Sequence, residues 1–175
     1  MMLQLKNQLD LADQKVILWM QNIRSTYLDK ILSMLTHTGS GKVWIIFALG
    51  MTALQVNGLF IMPMQNAFMA SLAATIPAWL IGIVIKRVVA KERPCNTYNL
   101  IKTPVCGSFP SNHTSASVAL FVALLLRDHP FAPFIGVWAF LISYSRIYLG
   151  VHYLTDVLGG MFLGISCACL HYLLF

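Results

Sequence analysis

Apolar residues run through this chain in long uninterrupted windows, not in the mixed rhythm of a water-soluble domain. Four windows hold roughly 18 or more largely uncharged residues, the length a helix needs to cross a bilayer: Val43 to Met62, Asn66 to Ile85, Phe131 to Leu149 and Tyr153 to Phe175. A fifth, Ser111 to Leu126, is shorter. It is polar only in its first turns, where "SNHTSAS" reads as a helix start facing protein or water instead of lipid. These windows predict an all-α integral membrane helix bundle with about five transmembrane helices.

The N-terminal part follows a different pattern. Val16, Met20, Ile23, Tyr27, Ile31 and Met34 recur at helical spacing, while Lys15, Gln21, Arg24, Asp29 and Lys30 fall on other faces. That pattern predicts one or two amphipathic helices lying in the membrane interface. A sixth, amphipathic span packed inside the bundle satisfies the same spacing. "THTGSGK" then turns the chain into the first span. With no Pro/Gly/Ser-rich linker, repeat or low-complexity tract, residues 1–175 read as one domain: an N-terminal amphipathic region, 1–42, and a transmembrane core, 43–175.

Composition agrees. The chain of 175 residues is 58% hydrophobic and 10% charged, with a mean hydropathy of +0.71, whereas about a quarter of residues are charged in a soluble domain. The net charge of +6 suits nucleic acid, anionic lipid or a phosphate-bearing substrate. Membrane residence favours lipid head groups over nucleic acid. "MMLQLKNQLDLADQK" lacks the basic stretch and apolar core of a cleavable signal, so the later spans are expected to direct insertion.

Five spans put the N-terminal region, the Lys86 to Pro110 loop and "SRIYLGVHYLTD" on one membrane side. Eleven of the twelve Lys and Arg residues fall there and Arg127 alone falls opposite. By the positive-inside rule that side is cytoplasmic.

Three clusters on this side carry chemistry, since charge kept beside a span is costly. "KRVVAKERP" holds Lys86 and Arg93, which would share a face on a continuing helix. "FPSNHTS" holds Ser111, Asn112 and His113. "SRIYLGVHYLTD" ends one span with Arg146 and opens the next with His152 and Asp156. A carboxylate one turn from an imidazole can accept its ring N–H and raise the basicity of the other nitrogen, which makes His152 a candidate nucleophile. Lys86, Arg93 and Arg146 supply donors for phosphate oxygens, and His113 can protonate a leaving oxygen. Singly, each cluster has a structural explanation: basic residues anchor helix ends, "SNH" caps a helix, and His152 with Asp156 makes a structural hydrogen bond.

The combination Lys-x6-Arg-Pro, Pro-Ser-x-His, Ser-Arg-x5-His-x3-Asp resembles the three-part signature of the type-2 phosphatidic acid phosphatase superfamily. Lys86, Arg93 and Pro94, then Pro110, Ser111, Asn112 and His113, then Ser145, Arg146, His152 and Asp156 carry the resemblance. It implies that His152 attacks phosphorus, Asp156 orients it, and His113 protonates the leaving lipid oxygen and then activates water. It implies that Lys86, Arg93, Arg146 and the Ser111 hydroxyl hold the phosphoryl oxygens, with no metal and no cofactor. Asn112 departs from the glycine of many members, which leaves its backbone N–H as the phosphate donor.

The partners so implied are a lipid phosphate substrate and membrane lipids: undecaprenyl diphosphate first, with phosphatidylglycerophosphate, phosphatidic acid and the 1-phosphate of lipid A as alternatives. A lipid phosphotransferase and a non-catalytic anion transporter are further readings of the same residues. The resemblance also implies a bacterial cytoplasmic membrane protein with its site on the periplasmic face, opposite to the charge count. Cys95 and Cys106 bear on this choice, because a disulfide between them requires an oxidising compartment.

Overall fold

The computed structural model describes residues 2–40, 43–44, 46–47, 49–50, 53, 62–94 and 107–175. The chain is all-helical, without a strand among these residues. Its helices are α1 (Met2–Asn22), α2 (Thr26–Thr38), α3 (Met62–Val89), α4 (Asn112–Leu125), α5 (Ala132–Tyr148) and α6 (Leu154–Leu174). The predicted window Val43 to Met62 lies largely outside the described residues, as do Cys95 and Cys106. Two described segments, Phe68–Val89 and Leu154–Leu174, are long and apolar enough to cross a membrane, and the apolar Asn112–Leu125 is shorter.

The short helix is the centre of the molecule. Nine of the 14 residues of α4 are buried, from Thr114 to Leu124, against α3, α5 and α6. A helix enclosed by protein can carry hydroxyls if they are satisfied, and these bond back along the helix: Ser115 to the Asn112 carbonyl at 3.1 Å and Ser117 to the His113 carbonyl at 2.8 Å. Two glycines let α6 approach it. A Cβ on Gly160 would meet the Ser111 carbonyl oxygen at 2.7 Å, and one on Gly164 would meet the Ser115 carbonyl oxygen at 2.5 Å. This is the small-xxx-small seam that membrane helices use, where close packing replaces the hydrophobic effect as the driving force.

Outward faces are apolar. Phe134, Val137 and Phe140 on α5 and Phe162 and Leu173 on α6 are exposed, a surface that suits lipid contact. The N-terminal helices are amphipathic as predicted, but with two working faces. Ile17, Met20 and Leu32 pack inward with Tyr148, Leu149 and Val151, while Leu18, Trp19, Tyr27, Ile31 and Met34 face out. Two polar side chains also turn inward, Asp13 of α1 and Thr36 of α2, both almost fully buried. Ser25 caps α2 by accepting from the Leu28 N–H, and its own N–H donates to the Tyr148 hydroxyl at 3.0 Å, which ties the α1–α2 corner to the end of α5.

Substituting Gly164→Ala forces a methyl into the α4 backbone, and overpacking of this kind costs about 1–3 kcal/mol. Thermal unfolding in detergent is expected to show a lowered Tm for this variant, with Phe162→Ala on the exposed face of the same helix unchanged. Equal Tm values for the two would contradict the close α4–α6 approach.

Candidate active site

The three sequence clusters meet at one end of the bundle. Lys86 lies in the last turn of α3, which ends at Val89 because Ala90 takes a left-handed conformation, φ 46°. The helix therefore does not continue, and the shared helical face expected for Lys86 and Arg93 does not exist. The two cations meet by another route. The segment after Ala90 lies alongside Gly107 and Ser108: the Ser108 N–H donates to the Lys91 carbonyl at 2.7 Å and its hydroxyl to the Glu92 carbonyl at 2.9 Å. Lys86 Nζ then donates to the Gly107 and Ser108 carbonyls at 3.3 and 2.9 Å, and Arg93 Nη2 to the Gly107 carbonyl at 3.3 Å. Gly107 must be glycine here, since a Cβ would lie 2.8 Å from the Lys86 carbonyl oxygen.

Ser111 is the N-cap of α4, so the capping and functional readings of "SNH" hold together. Its Oγ accepts from the Thr114 N–H and, at 3.0 Å, from the Thr114 hydroxyl, which leaves its own proton to donate. The Asn112 side chain turns away from the cup and donates to the Trp79 carbonyl of α3 at 3.3 Å. Any phosphate contact at Asn112 falls to its backbone N–H, one of the first-turn donors that a helix leaves without intrahelical acceptors. His113 follows in that first turn, within electrostatic reach of Arg146, His152, Lys86 and His37.

Arg146 and His152 are joined through the tight connection between α5 and α6. Gly150 takes a positive φ of 66°, and the N–H groups of Val151 and His152 both donate to the Arg146 carbonyl at 3.2 Å. The His152 ring is 2% exposed and faces opposite charges on its two sides. Nδ1 lies 3.5 Å from Asp156 Oδ2, and Nε2 lies 3.4 Å from Arg93 Nη1, which itself donates to the Val151 carbonyl at 2.9 Å. The Asp156 carboxylate also accepts the Tyr153 N–H at 2.9 Å, and the Asp156 carbonyl accepts the Ser111 N–H at 2.9 Å. That last bond fastens the start of α4 to the start of α6. Arg146 is buried, with Nη1 on the Thr36 hydroxyl at 2.8 Å and Nε without a hydrogen-bond partner among the described residues.

Burial pushes the His152 ring down to a pKa of about 3; Asp156 opposes the shift, and the charges of Arg146, Lys86 and Arg93 add to it. The ring is therefore neutral at physiological pH, which is the form a nucleophile needs. An imidazole backed by a carboxylate, with its free nitrogen among cations, can attack a phosphoryl group. Donors from Lys86, Arg93 and Arg146 can take up the charge that develops on its oxygens.

A family model described as the PAP2 superfamily matches residues 67–175. The chain belongs to the PAP2 superfamily. It is similar to the phosphatidylglycerophosphatase B of Bacillus subtilis, at 28% identity over 91% of this chain and 81% of that protein. The lipid A 4'-phosphatase of Bacteroides thetaiotaomicron is 29% identical over 87% of this chain and 72% of its own length. An undecaprenyl-diphosphatase of Sulfolobus acidocaldarius is 40% identical, over half of this chain and 45% of that protein. Among solved structures, the transmembrane PAP2-type phosphatidylglycerolphosphate phosphatase of Bacillus subtilis superposes with a TM-score of 0.75 at 28% identity, covering 96% of this chain and 86% of that one. Aquifex aeolicus LpxE shares the fold, with a TM-score of 0.71 at 23% identity over 91% and 93% of the two chains.

Sequence reasoning missed Asp13, Thr36, Lys91 and Gly107. Lys91 sits inside a quoted motif, but nothing in its spacing marks it. Asp13 and Thr36 are single polar residues on amphipathic helices, indistinguishable in sequence from solvated positions.

The depressed His152 pKa has a kinetic consequence. At limiting substrate, and after correction for the substrate's own ionisation, the His152 ring should leave kcat/KM within about threefold between pH 7 and pH 5, because in the free enzyme it protonates only near pH 3. A tenfold fall per pH unit below the ordinary histidine value of about 6.5 would contradict a buried, neutral His152.

Proposed function

We propose that this PAP2 chain is an integral membrane lipid phosphatase that hydrolyses a lipid phosphate or diphosphate monoester through a phosphohistidine. The observation that carries the reading is the orientation of one ring: Nδ1 of His152 toward Asp156 at 3.5 Å and Nε2 toward Arg93 at 3.4 Å. In this mechanism Nε2 attacks phosphorus while Asp156 holds the ring and stabilises its growing positive charge. Lys86, Arg93, Arg146, the Ser111 hydroxyl and the Asn112 N–H hold the phosphoryl oxygens, and the Nε donor of Arg146 is directed to the same group. His113 protonates the departing lipid oxygen, then takes a proton from water as that water attacks the phosphohistidine, releasing inorganic phosphate and restoring His152. The cationic clamp supplies the charge stabilisation, so the reaction is proposed to be metal-independent.

The lipid tail is proposed to lie outside the cup against apolar helix surface. A groove of about 230 Å³ between α4, α5 and α6 suits it, lined by Val118, Phe121, Ala139, Ser143 and Met161. Such walls grip acyl and prenyl chains alike. Undecaprenyl diphosphate is the preferred substrate, with phosphatidylglycerophosphate, phosphatidic acid and the 1-phosphate of lipid A as alternatives; the relatives' names support the first two classes and a lipid A phosphate, there the 4'-phosphate. A five-span bundle in a bacterial cytoplasmic membrane, its cup facing the periplasm, completes the reading.

Purified protein in detergent is expected to release phosphate from at least one member of that panel with chelator present. His152→Ala is expected to lose about 10⁴-fold or more in kcat with its Tm retained. Phosphate release by His152→Ala at the wild-type rate would contradict the reading, chelator sensitivity would refute its metal-free step, and a phosphorylated lipid product in place of inorganic phosphate would indicate a transferase. In intact cells an impermeant thiol reagent applied after reduction is expected to label Cys95. Labelling only after lysis would reverse the sidedness.

A further inference from the structure

The two oxygens of Asp156 have different partners. Oδ2 faces the imidazole and accepts the Tyr153 N–H, whereas Oδ1 accepts Lys91 Nζ at 3.0 Å. Lys91 is itself held from three sides. Its Nζ donates to the Thr155 hydroxyl at 2.7 Å and to Asp13 Oδ2 at 3.1 Å, and it stands 4.5 Å from the centre of the Tyr153 ring. Asp13 comes from α1, some 140 residues away in sequence, and only 2% of it is exposed. Its other oxygen accepts the Thr155 N–H at 3.0 Å, so it serves as an external cap for the first turn of α6. Burial lowers the Lys91 pKa, but the hydrogen bonds and charges of Asp156 and Asp13 outweigh it and raise the ammonium's pKa above its ordinary value.

The result is a line of alternating charge, buried except at the partly exposed Lys91: carboxylate of Asp13, ammonium of Lys91, carboxylate of Asp156, imidazole of His152. A free aspartate can rotate about its last torsion and present either oxygen to a histidine. Here Lys91 claims Oδ1, so the carboxylate plane is fixed and Oδ2 alone meets Nδ1. A fixed Oδ2 in turn fixes the ring plane and the aim of Nε2.

We propose that Lys91 and Asp13 are positioning residues for the Asp156–His152 pair, which makes α1 a working part of the active site as well as a membrane-facing helix. The inference rests on the phosphatase reading above and goes beyond it. Neither residue touches the phosphoryl group, so their loss should appear in kcat and leave substrate binding almost intact.

The test uses the full chain in detergent with dioctanoyl phosphatidic acid and the best substrate of the panel as probes. Lys91→Met is expected to lower kcat by about 10- to 100-fold, the scale of a misaimed catalytic group, with KM within about threefold. Lys91→Arg should recover most of the loss, since it restores a donor and a charge. Asp13→Asn should lower kcat by a smaller factor, about 3- to 10-fold, and add nothing to Lys91→Met in the double variant, as two members of one line are non-additive. Lys91→Met should also move the acid limb of kcat/KM to higher pH, because removing an ammonium beside Asp156 makes the His152 ring easier to protonate.

A Lys91→Met kcat within twofold of wild type, a loss carried only by KM, or fully additive effects would overturn the proposal and leave the phosphatase reading standing. A wild-type chain that releases no phosphate from any probe overturns both. Should Lys91→Met fail to fold, Asp13→Asn and Lys91→Arg decide: wild-type kcat in Asp13→Asn overturns the proposal, and a reduced kcat there with near-normal Lys91→Arg supports it.

Discussion

Everything at the catalytic end depends on how closely the backbone of α6 approaches that of α4. Gly160 and Gly164 remove the side chains that would otherwise hold the helices apart, and the Ser111 N–H then reaches the Asp156 carbonyl at 2.9 Å. That bond sets the first turn of α4, which carries His113, beside the first turn of α6, which carries Asp156. In a bilayer this contact cannot rely on water to press apolar surfaces together, so it rests on backbone proximity and fit. A Cβ at either glycine would push the first turn of α4, with Ser111 and His113, away from that of α6.

On this frame the chain gathers cations around a neutral ring. Lys86, Arg93 and Arg146 surround His152, held among others by the Gly107, Ser108 and Val151 carbonyls and the Thr36 hydroxyl, with Arg93 also at the imidazole itself. Such partners orient the cations toward the ring, in the position from which donors can meet a phosphoryl group. The carboxylates are kept on the far side of the imidazole, where Asp156 and Asp13 share Lys91. Negative charge behind the ring and positive charge before it polarise His152 along its Nδ1–Nε2 direction, the line of attack in the proposed mechanism. The N-terminal helices contribute to both sides, Thr36 to an arginine of the clamp and Asp13 to the carboxylate behind the ring.

The bundle helices were legible in the sequence as apolar runs: α5 and α6 match their predicted windows to within a residue or so at either end, α4 begins where "SNH" said it would, and α3, Met62–Val89, overruns its predicted window of Asn66 to Ile85 at both ends. The meeting of the three motif clusters was legible because charged and polar residue types are rare in a bilayer setting. Two things were not. The path from Lys86 to Arg93 depends on one backbone conformation, the left-handed Ala90, and on Gly107 arriving from a distant segment. The inward turn of Asp13 and Thr36 depends on tertiary packing, since an amphipathic pattern states which face is apolar but not which polar residue at its border will be covered. Asn112, whose side chain lies on α3, shows the reverse: a residue inside a motif whose side chain serves packing.

The central claim is that His152 becomes covalently phosphorylated on the nitrogen that faces the cations. Rapid alkaline quenching of wild-type protein during turnover of a ³²P-labelled lipid phosphate, followed by mapping of the label, tests it directly. The account predicts an acid-labile, alkali-stable phosphoenzyme on Nε2 of His152. Label on another residue, or steady turnover with no phosphoenzyme at any time of quench, would contradict it.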